Sequence, residues 1–237
     1  WRFFRRWGRI RVMVGILKAN KLFSEADRDA IKQAIVQAEQ NTSGEIIPVI
    51  ASASGRYDRA EDIFGLLFSL LCVAIGWGLF HNNAPTDDWS SFNFDLTAIL
   101  LTMFLSFIIG VLLTHLCPVL RSPFITKQEM EEEVDHAAAT AFQHNRLRNT
   151  ADSTGILIYI SLYEHQVKVV GDDGISAKLT HPDWQHICDA IIKEFKEKQY
   201  TNGIVDGIDL SGKLLAEHFP IKEGDQDELA NELIIID

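Results

Sequence analysis

TGILIYISLYEHQVKVVGDDGIS, residues 154–176, contains the strongest β-strand signal in the chain and ends in an acidic pair. Gly155–Leu162 is almost entirely apolar and rich in β-branched residues, which is typical of a strand covered on both faces. The turn YEHQ leads into VKVV, so the two runs predict a β-hairpin. The second strand runs directly into Asp172 and Asp173, which lie between two glycines.

The sequence before this hairpin predicts a helix and a strand. Ser24 and Asp27 form a capping signature for a helix that extends to about Gln40. The segment Glu45–Ala51 follows as a strand, and Pro48 places that strand near a sheet edge or a bulge.

Further helices are predicted on both sides of the hairpin in sequence. One runs from Lys127 to about Arg148, and two follow the acidic pair. The first of these two has apolar residues at helical spacing: Trp184, Ile187, Cys188, Ile191, Ile192 and Phe195. Strands interleaved with helices predict an α/β fold with helices on both faces of one sheet, a three-layer α/β/α sandwich. The apolar C-terminal end is either solvated or a strand-like docking segment.

Two uncharged apolar runs interrupt this domain. Ile63–Phe80 has 18 residues and Leu96–Cys117 has 22, so each can cross a hydrocarbon core of about 30 Å as a helix. The alternative is a pair of buried helices in a soluble core, which rarely continue this far without a charge. We therefore predict a transmembrane hairpin.

The flanking charges predict the orientation of the hairpin. The loop between the runs contains three Asp residues and no Lys or Arg, whereas Arg56, Arg59, Arg121 and Lys127 flank the other ends. By the positive-inside rule, the loop faces away from the cytoplasm and both soluble flanks face it. The expected topology is two spans with a cytoplasmic domain.

Charge is unevenly distributed along the chain. Seven of the 22 basic residues lie in residues 1–24, which contain no acid, and this leaves 15 basic against 33 acidic residues elsewhere. An acidic body repels nucleic acid, so we expect no nucleic-acid partner. In residues 1–23, apolar and basic residues at helical spacing predict an amphipathic helix on the surface of a lipid bilayer.

The predicted organisation is therefore a basic membrane-surface segment, a domain in two parts and two spans. The ranges are 1–23 for the segment, 24–57 and 121–237 for the domain, and 63–80 and 96–117 for the spans.

Three interpretations of Asp172 and Asp173 remain open: an acidic turn, a cation site, or a general acid/base pair. Gly and Asp are the residues that a tight turn needs, and vicinal carboxylates in a Gly-flanked loop are also ligands for a hard divalent cation. If the chain end folds back over the end of the strand, additional ligands are predicted at Asp225, Asp227 and Glu228.

The order of these landmarks resembles the TPM-domain family. The helix is followed by TSGEI, the hairpin by a Trp-bearing helix, and LLAEHFP by the acidic DQDELANEL. The resemblance covers roughly residues 24–57 and 121–235. The chain is similar to a bacterial membrane-anchored branch with a hydrophobic hairpin inside the domain, which implies a location in the bacterial inner membrane. It implies an α/β/α fold, bound calcium in some members, and a reported acid phosphatase activity in a plant member.

The resemblance also implies a role in membrane protein assembly or quality control, beside a LemA-like helical membrane protein. Asp173 stands where relatives commonly have Arg. Ser153 stands where an Arg is frequent and Asp227 where an Asn is frequent, so each change makes the neighbourhood more acidic. These departures favour a bound cation over a bound phosphate, and calcium is the first candidate for the cation. Two function classes stay open: a module that binds a partner protein or a second copy of itself, and a metal-dependent phosphatase.

Overall fold

The computed structural model describes residues 2–7, 18–80, 95–145, 154–221 and 229–237. Among these, the residues before Arg56 and after Lys127 form one compact unit, and Arg56–Lys127 forms another. The first unit contains the sheet, and the second contains the two apolar helices.

The first unit is built around a five-stranded mixed sheet in the order β1-β4-β3-β2-β5. The strands are β1 (Arg2–Arg6), β2 (Glu45–Ala51), β3 (Gly155–Ser161), β4 (Gln166–Gly171) and β5 (Ile234–Ile236). Strands β5, β2 and β3 run parallel, whereas β4 is antiparallel to β3 and β1 is antiparallel to β4. All residues of β2, β3 and β4 are buried, which confirms a sheet covered on both faces.

One face of the sheet is covered by three helices, α1 (Glu25–Glu39), α6 (His181–Lys196) and α7 (Tyr200–His218). Strand residues such as Ile46, Ile156 and Ile158 pack against them. The six apolar residues predicted as the buried stripe of α6 are all buried. Helix α1 begins with the predicted capping box, in which the Ser24 hydroxyl accepts from the Asp27 N–H and the Asp27 carboxylate accepts from the Ser24 N–H.

The opposite face is covered by α4 (Lys127–His144). Val134, Ala138 and Phe142 pack there against the strand residues that alternate with the first set, such as Leu157 and Tyr159. Helices on both faces of one sheet make a three-layer α/β/α sandwich, and the predicted fold class is confirmed.

Pro48 lies inside the sheet, at a position where a missing N–H is tolerated. The Ile46 N–H donates to Glu39 Oε1 at 2.9 Å and the Ser52 N–H donates to Ile236 O at 2.8 Å, both on the side of β2 away from β3. N–H groups alternate along a strand, so residue 48 faces this same side. Strand β5 pairs with β2 only from Val49 onward, and Pro48 therefore occupies a locally open edge.

The second unit contains α2 (Asp58–Phe80) and α3 (Leu96–Leu116), which pack against each other. Their mean hydropathies over the most apolar 18-residue windows are 2.3 and 2.6, and both helices are long and apolar enough to cross a membrane. Most of their large apolar side chains are exposed, unlike those of a helix in a soluble core. At the base of the pair, Arg121 bonds to the Glu61 carboxylate and to the Arg56 carbonyl oxygen.

The N-terminal segment departs from the sequence prediction. Residues 2–6 form β1 and pair with β4, so the prediction of a helix was wrong for these residues. A run of five residues, here RFFRR, is too short for its pattern to distinguish a strand from a helix. The pairing with β4, at least 160 residues away in sequence, decides the outcome. Residues 8–17 lie outside the described residues.

Candidate functional site at one end of the sheet

Asp172 is the residue between β4 and the short helix α5 (Asp173–Ser176). Its N–H donates to the Gly155 carbonyl oxygen at 3.0 Å, and its Oδ1 accepts from the Asp173 N–H at 2.8 Å. The Ser176 hydroxyl donates to the Asp172 carbonyl oxygen at 2.9 Å. The acidic pair therefore forms a hydrogen-bonded cap, which is the structural role that the turn interpretation assigned to it.

The second carboxylate oxygen of Asp172 is not used by this cap. Asp172 is 5% exposed, and its Oδ2 is buried and accepts no hydrogen bond within the described part of the chain. A buried carboxylate oxygen without a donor is costly, and a bound cation is one species that removes the cost. Asp173 is exposed to solvent.

These two carboxylates are an incomplete ligand set for a metal. Among the described residues, no group of three or more His, Cys, Asp or Glu side chains could hold a metal ion. The predicted additional ligands Asp225, Asp227 and Glu228 lie outside the described residues. Of the predicted ligands, the described residues therefore contain one buried carboxylate oxygen, Asp172 Oδ2, and the exposed Asp173 carboxylate.

Two glycines of the sequence motifs allow close packing at this end of the sheet. A Cβ atom on Gly171, which precedes the acidic pair, would lie 2.6 Å from Trp184 Cη2. A Cβ atom on Gly44, in the TSGEI motif, would lie 2.8 Å from Leu215 Cδ1. Both distances are shorter than real Cβ contacts, so a larger residue at either position would force Leu215 of α7 or Trp184 of α6 to shift.

A groove of about 400 Å³ opens at the same end of the sheet. The loop before β2 and the residue before β3 meet there, because the Thr154 hydroxyl donates to the Ser43 carbonyl oxygen at 2.8 Å. Thr154 precedes Gly155, to which Asp172 is hydrogen-bonded, so the groove and the acidic pair are neighbours. The groove is lined by Ser43, Thr154, Lys178, His218, Phe219, Pro220 and Ile221.

Lys178 supplies a positive charge to the groove. Its Nζ donates to the His218 carbonyl oxygen at 2.9 Å and lies 4.1 Å from the centroid of the Phe219 ring. The ammonium group is thus held by the C-terminal end of α7, where a cation is favourable. No local pattern predicted this arrangement, because Lys178 and His218 are 40 residues apart.

The fold and this site define a class of protein. It is an α/β/α domain in which the end of one strand carries an acidic cap, next to a groove that contains a lysine ammonium group. Residues 124–214 match the sequence model of the TPM domain. This match covers part of the chain and supports the resemblance to the TPM-domain family that its sequence motifs indicated.

Among solved structures, the chain is similar to the NMR structure of the BA42 protein from the psychrophilic bacterium Bizionia argentinensis. The TM-score is 0.54 at 22% identity, and the match covers 92% of this chain and 98% of that chain. At this identity the likeness concerns the fold alone. A comparison with curated proteins gave no match.

Proposed function

We propose that this protein is a membrane-anchored TPM domain that binds a partner protein and holds a divalent cation, with calcium as the first candidate, at Asp172. The partner is a LemA-like helical membrane protein or a second copy of the chain, and the role is in membrane protein assembly or quality control. The observation that supports a cation most directly is the buried Asp172 Oδ2, which has no donor among the described residues.

The cation proposal predicts stabilisation of the folded protein by metal. A ligand that binds only the folded state at a hundred times its dissociation constant stabilises it by about 2.7 kcal/mol, which for a domain of this size is about 5–10 °C in melting temperature. We expect calcium to raise the melting temperature of the full chain in detergent micelles at constant ionic strength. Asp172→Asn should abolish the rise, whereas Asp206→Asn, at an exposed position on α7, should preserve it. An unmoved wild-type curve in both calcium and magnesium would reject the cation.

The membrane proposal is supported by the exposed apolar surfaces of α2 and α3. We place the hairpin in a bacterial inner membrane, with residues 81–95 on the extracytoplasmic side and the α/β/α domain in the cytoplasm. In a background without the three native cysteines, an impermeant thiol reagent applied to intact cells should label Ser90→Cys but not Lys213→Cys, which is exposed on α7. The opposite pattern would reverse the orientation.

The groove beside Asp172 is the surface that we assign to the partner. A photo-crosslinking residue at Lys178, which lines the groove, should capture a co-expressed LemA-like protein or a second copy of the chain. The matched control carries the photo-crosslinking residue in place of Lys32, which is exposed on α1. Equal capture at both positions, or at neither, would count against the groove as the partner surface.

The same groove supports a second candidate function, a metal-dependent phosphatase. A cation at Asp172 would orient a water molecule, and the Lys178 ammonium in the neighbouring groove would offset phosphate charge. If this is correct, the protein hydrolyses p-nitrophenyl phosphate in a metal-dependent manner, and Lys178→Ala and Asp172→Asn each remove the activity while the fold is retained. Metal-induced stabilisation without hydrolysis would leave the binding function as the better proposal.

A further inference from the structure

The turn between β3 and β4, residues Leu162–His165, binds a segment that is distant in sequence through the side chain of Glu164. Glu164 is fully buried. Its Oε1 accepts from the N–H groups of Ser54, at 2.9 Å, and Gly55, at 3.3 Å, and its Oε2 accepts from the Ser161 hydroxyl. Hydrogen bonds to a buried carboxylate are among the stronger ones in proteins, so this side chain fixes the backbone of residues 54 and 55.

The fixed backbone is the connection into the apolar hairpin. Gly55 is the last residue of the first unit on this side of the insertion, and α2 begins at Asp58. The Ser54 hydroxyl strengthens the attachment, because it donates to Ser161 Oγ at 2.9 Å and lies 3.1 Å from the Tyr159 hydroxyl. Burial raises the pKa of Tyr159 to about 12, so this hydroxyl remains protonated at physiological pH.

The next residue of the same turn binds the N-terminal segment. The His165 carbonyl oxygen accepts from the Trp7 N–H at 2.9 Å, and the two rings meet edge to face with centroids 5.6 Å apart. Trp7 is 6% exposed and also contacts Phe195 of α6, with ring centroids 5.1 Å apart. Trp7 follows β1 and thus anchors the end of the basic strand.

His165 has a φ of 53°, in the left-handed region that a non-glycine residue rarely adopts. Such a conformation persists only where the surroundings hold it. Here the pairing of Ser161 with Gln166 closes the turn, and the Trp7 contact and the Glu164 hydrogen bonds lie next to His165. Because Glu164 and His165 are consecutive, relaxation of this φ angle displaces the Glu164 carboxylate.

We propose that the Leu162–His165 turn couples the N-terminal strand to the connection that enters the apolar hairpin. Release of Trp7 lets His165 relax, and this withdraws the Glu164 carboxylate from the Ser54 and Gly55 amides. The sheet itself stays folded, because Leu162 is the one turn residue among the buried apolar residues of its core in the described part of the chain. By thermodynamic reciprocity, release of the connection weakens the docking of the N-terminal strand by the same factor.

Hydrogen exchange of the full chain in lipid nanodiscs tests this coupling. We expect Trp7→Ala to accelerate exchange in peptides covering residues 53–57 by about tenfold, the effect of losing hydrogen bonds to a charged group. Trp7→Phe, which keeps an aromatic ring against His165, should restore much of the protection. In the reverse direction, Glu164→Ala should accelerate exchange in residues 2–7, whereas Glu164→Gln, which keeps an acceptor oxygen for both amides, should do so much less.

A control separates coupling from general loss of stability. Ile208 is fully buried on α7 and takes part in none of the hydrogen bonds and ring contacts of the turn named above. Ile208→Ala should destabilise the same core. If Ile208→Ala accelerates residues 53–57 as much as Trp7→Ala at matched global stability, the coupling is refuted. It is also refuted if Trp7→Ala releases residues 2–7 and leaves residues 53–57 unchanged.

Discussion

A Cβ atom placed on Gly110 of α3 would lie 2.9 Å from the Cα atom of Gly65 on α2. The two apolar helices therefore approach backbone to backbone at this point. Buried residues along the contact are small, with Ser69 on α2 and Ser106 and Thr114 on α3. Each of these hydroxyls donates to a carbonyl oxygen of its own helix, so the contact contains no hydroxyl that must find a partner across the helices.

Gly110→Leu should separate the helices of the hairpin. A leucine there must displace the Gly65 backbone, and overpacking of this kind costs about 1–3 kcal/mol. We expect a lower midpoint when the full chain in mild detergent is unfolded with SDS and its helicity is followed by circular dichroism. Gly78→Leu is the matched control, because a Cβ atom at Gly78 meets nothing within 4 Å. Equal midpoints for the two variants would show that the close approach does not stabilise the hairpin.

Local signals in the sequence were sufficient for the centre of the fold. The run Gly155–Leu162 predicted a doubly covered strand because its composition fits only that environment, and the structure buries every residue of β3. The capping box at Ser24 likewise depends on residues three apart, and both of its hydrogen bonds are present. Such features are decided within a few residues, so sequence alone can predict them.

Features that depend on distant partners were predicted less well. Residues 2–6 have a pattern that fits a helix, yet they form a strand because β4 offers an edge. The C-terminal apolar residues were compatible with either a solvated end or a docked strand, and pairing with Val49–Ala51 makes them β5. For the candidate site, the role of Asp172 as a ligand stays a prediction from sequence. The groove with Lys178 and His218 could not be predicted, because it exists only after the end of α5 and the end of α7 come together.

Gly212 of α7 lies so close to α1 that replacing it with alanine should destabilise the domain. A Cβ atom on Gly212 would lie 2.6 Å from Ala38 Cβ and 3.0 Å from Ala38 Cα. Although alanine favours a helix by about 1 kcal/mol over glycine, Gly212→Ala should destabilise the domain by a net amount of about 1–3 kcal/mol. Chemical denaturation measures this difference. Addition of Ala38→Gly should recover part of the loss, and purely additive effects of the two substitutions would contradict direct contact.

His165 makes the stability of the domain depend on pH. Burial lowers its pKa below the ordinary value of 6.5, with a further lowering from Arg6, while a backbone hydrogen bond and Glu164 oppose the shift. The unfolded chain therefore binds a proton at His165 more readily than the folded one, and stability falls as the pH drops below about 6.5. His165→Asn keeps a residue that tolerates positive φ but removes the titration. We expect a smaller loss of melting temperature between pH 7.5 and pH 5.5 in this variant, and an unchanged loss would argue against His165.

The α/β/α domain should fold as one core even though the apolar hairpin interrupts it in sequence. Strand β2 precedes the insertion, but its sheet partners β3 and β5 both follow it, so neither part of the domain contains a complete sheet. A variant in which a short Gly-Ser linker replaces residues 56–127 should therefore unfold in a single transition in urea. Ile46 in β2 and Ile187 in α6 are both 1% exposed. Ile46→Ala and Ile187→Ala should each lower the unfolding free energy by about 2–5 kcal/mol and shift the midpoint of that same transition to a lower urea concentration. Two separate transitions, with each substitution shifting only one of them, would show that the parts fold independently.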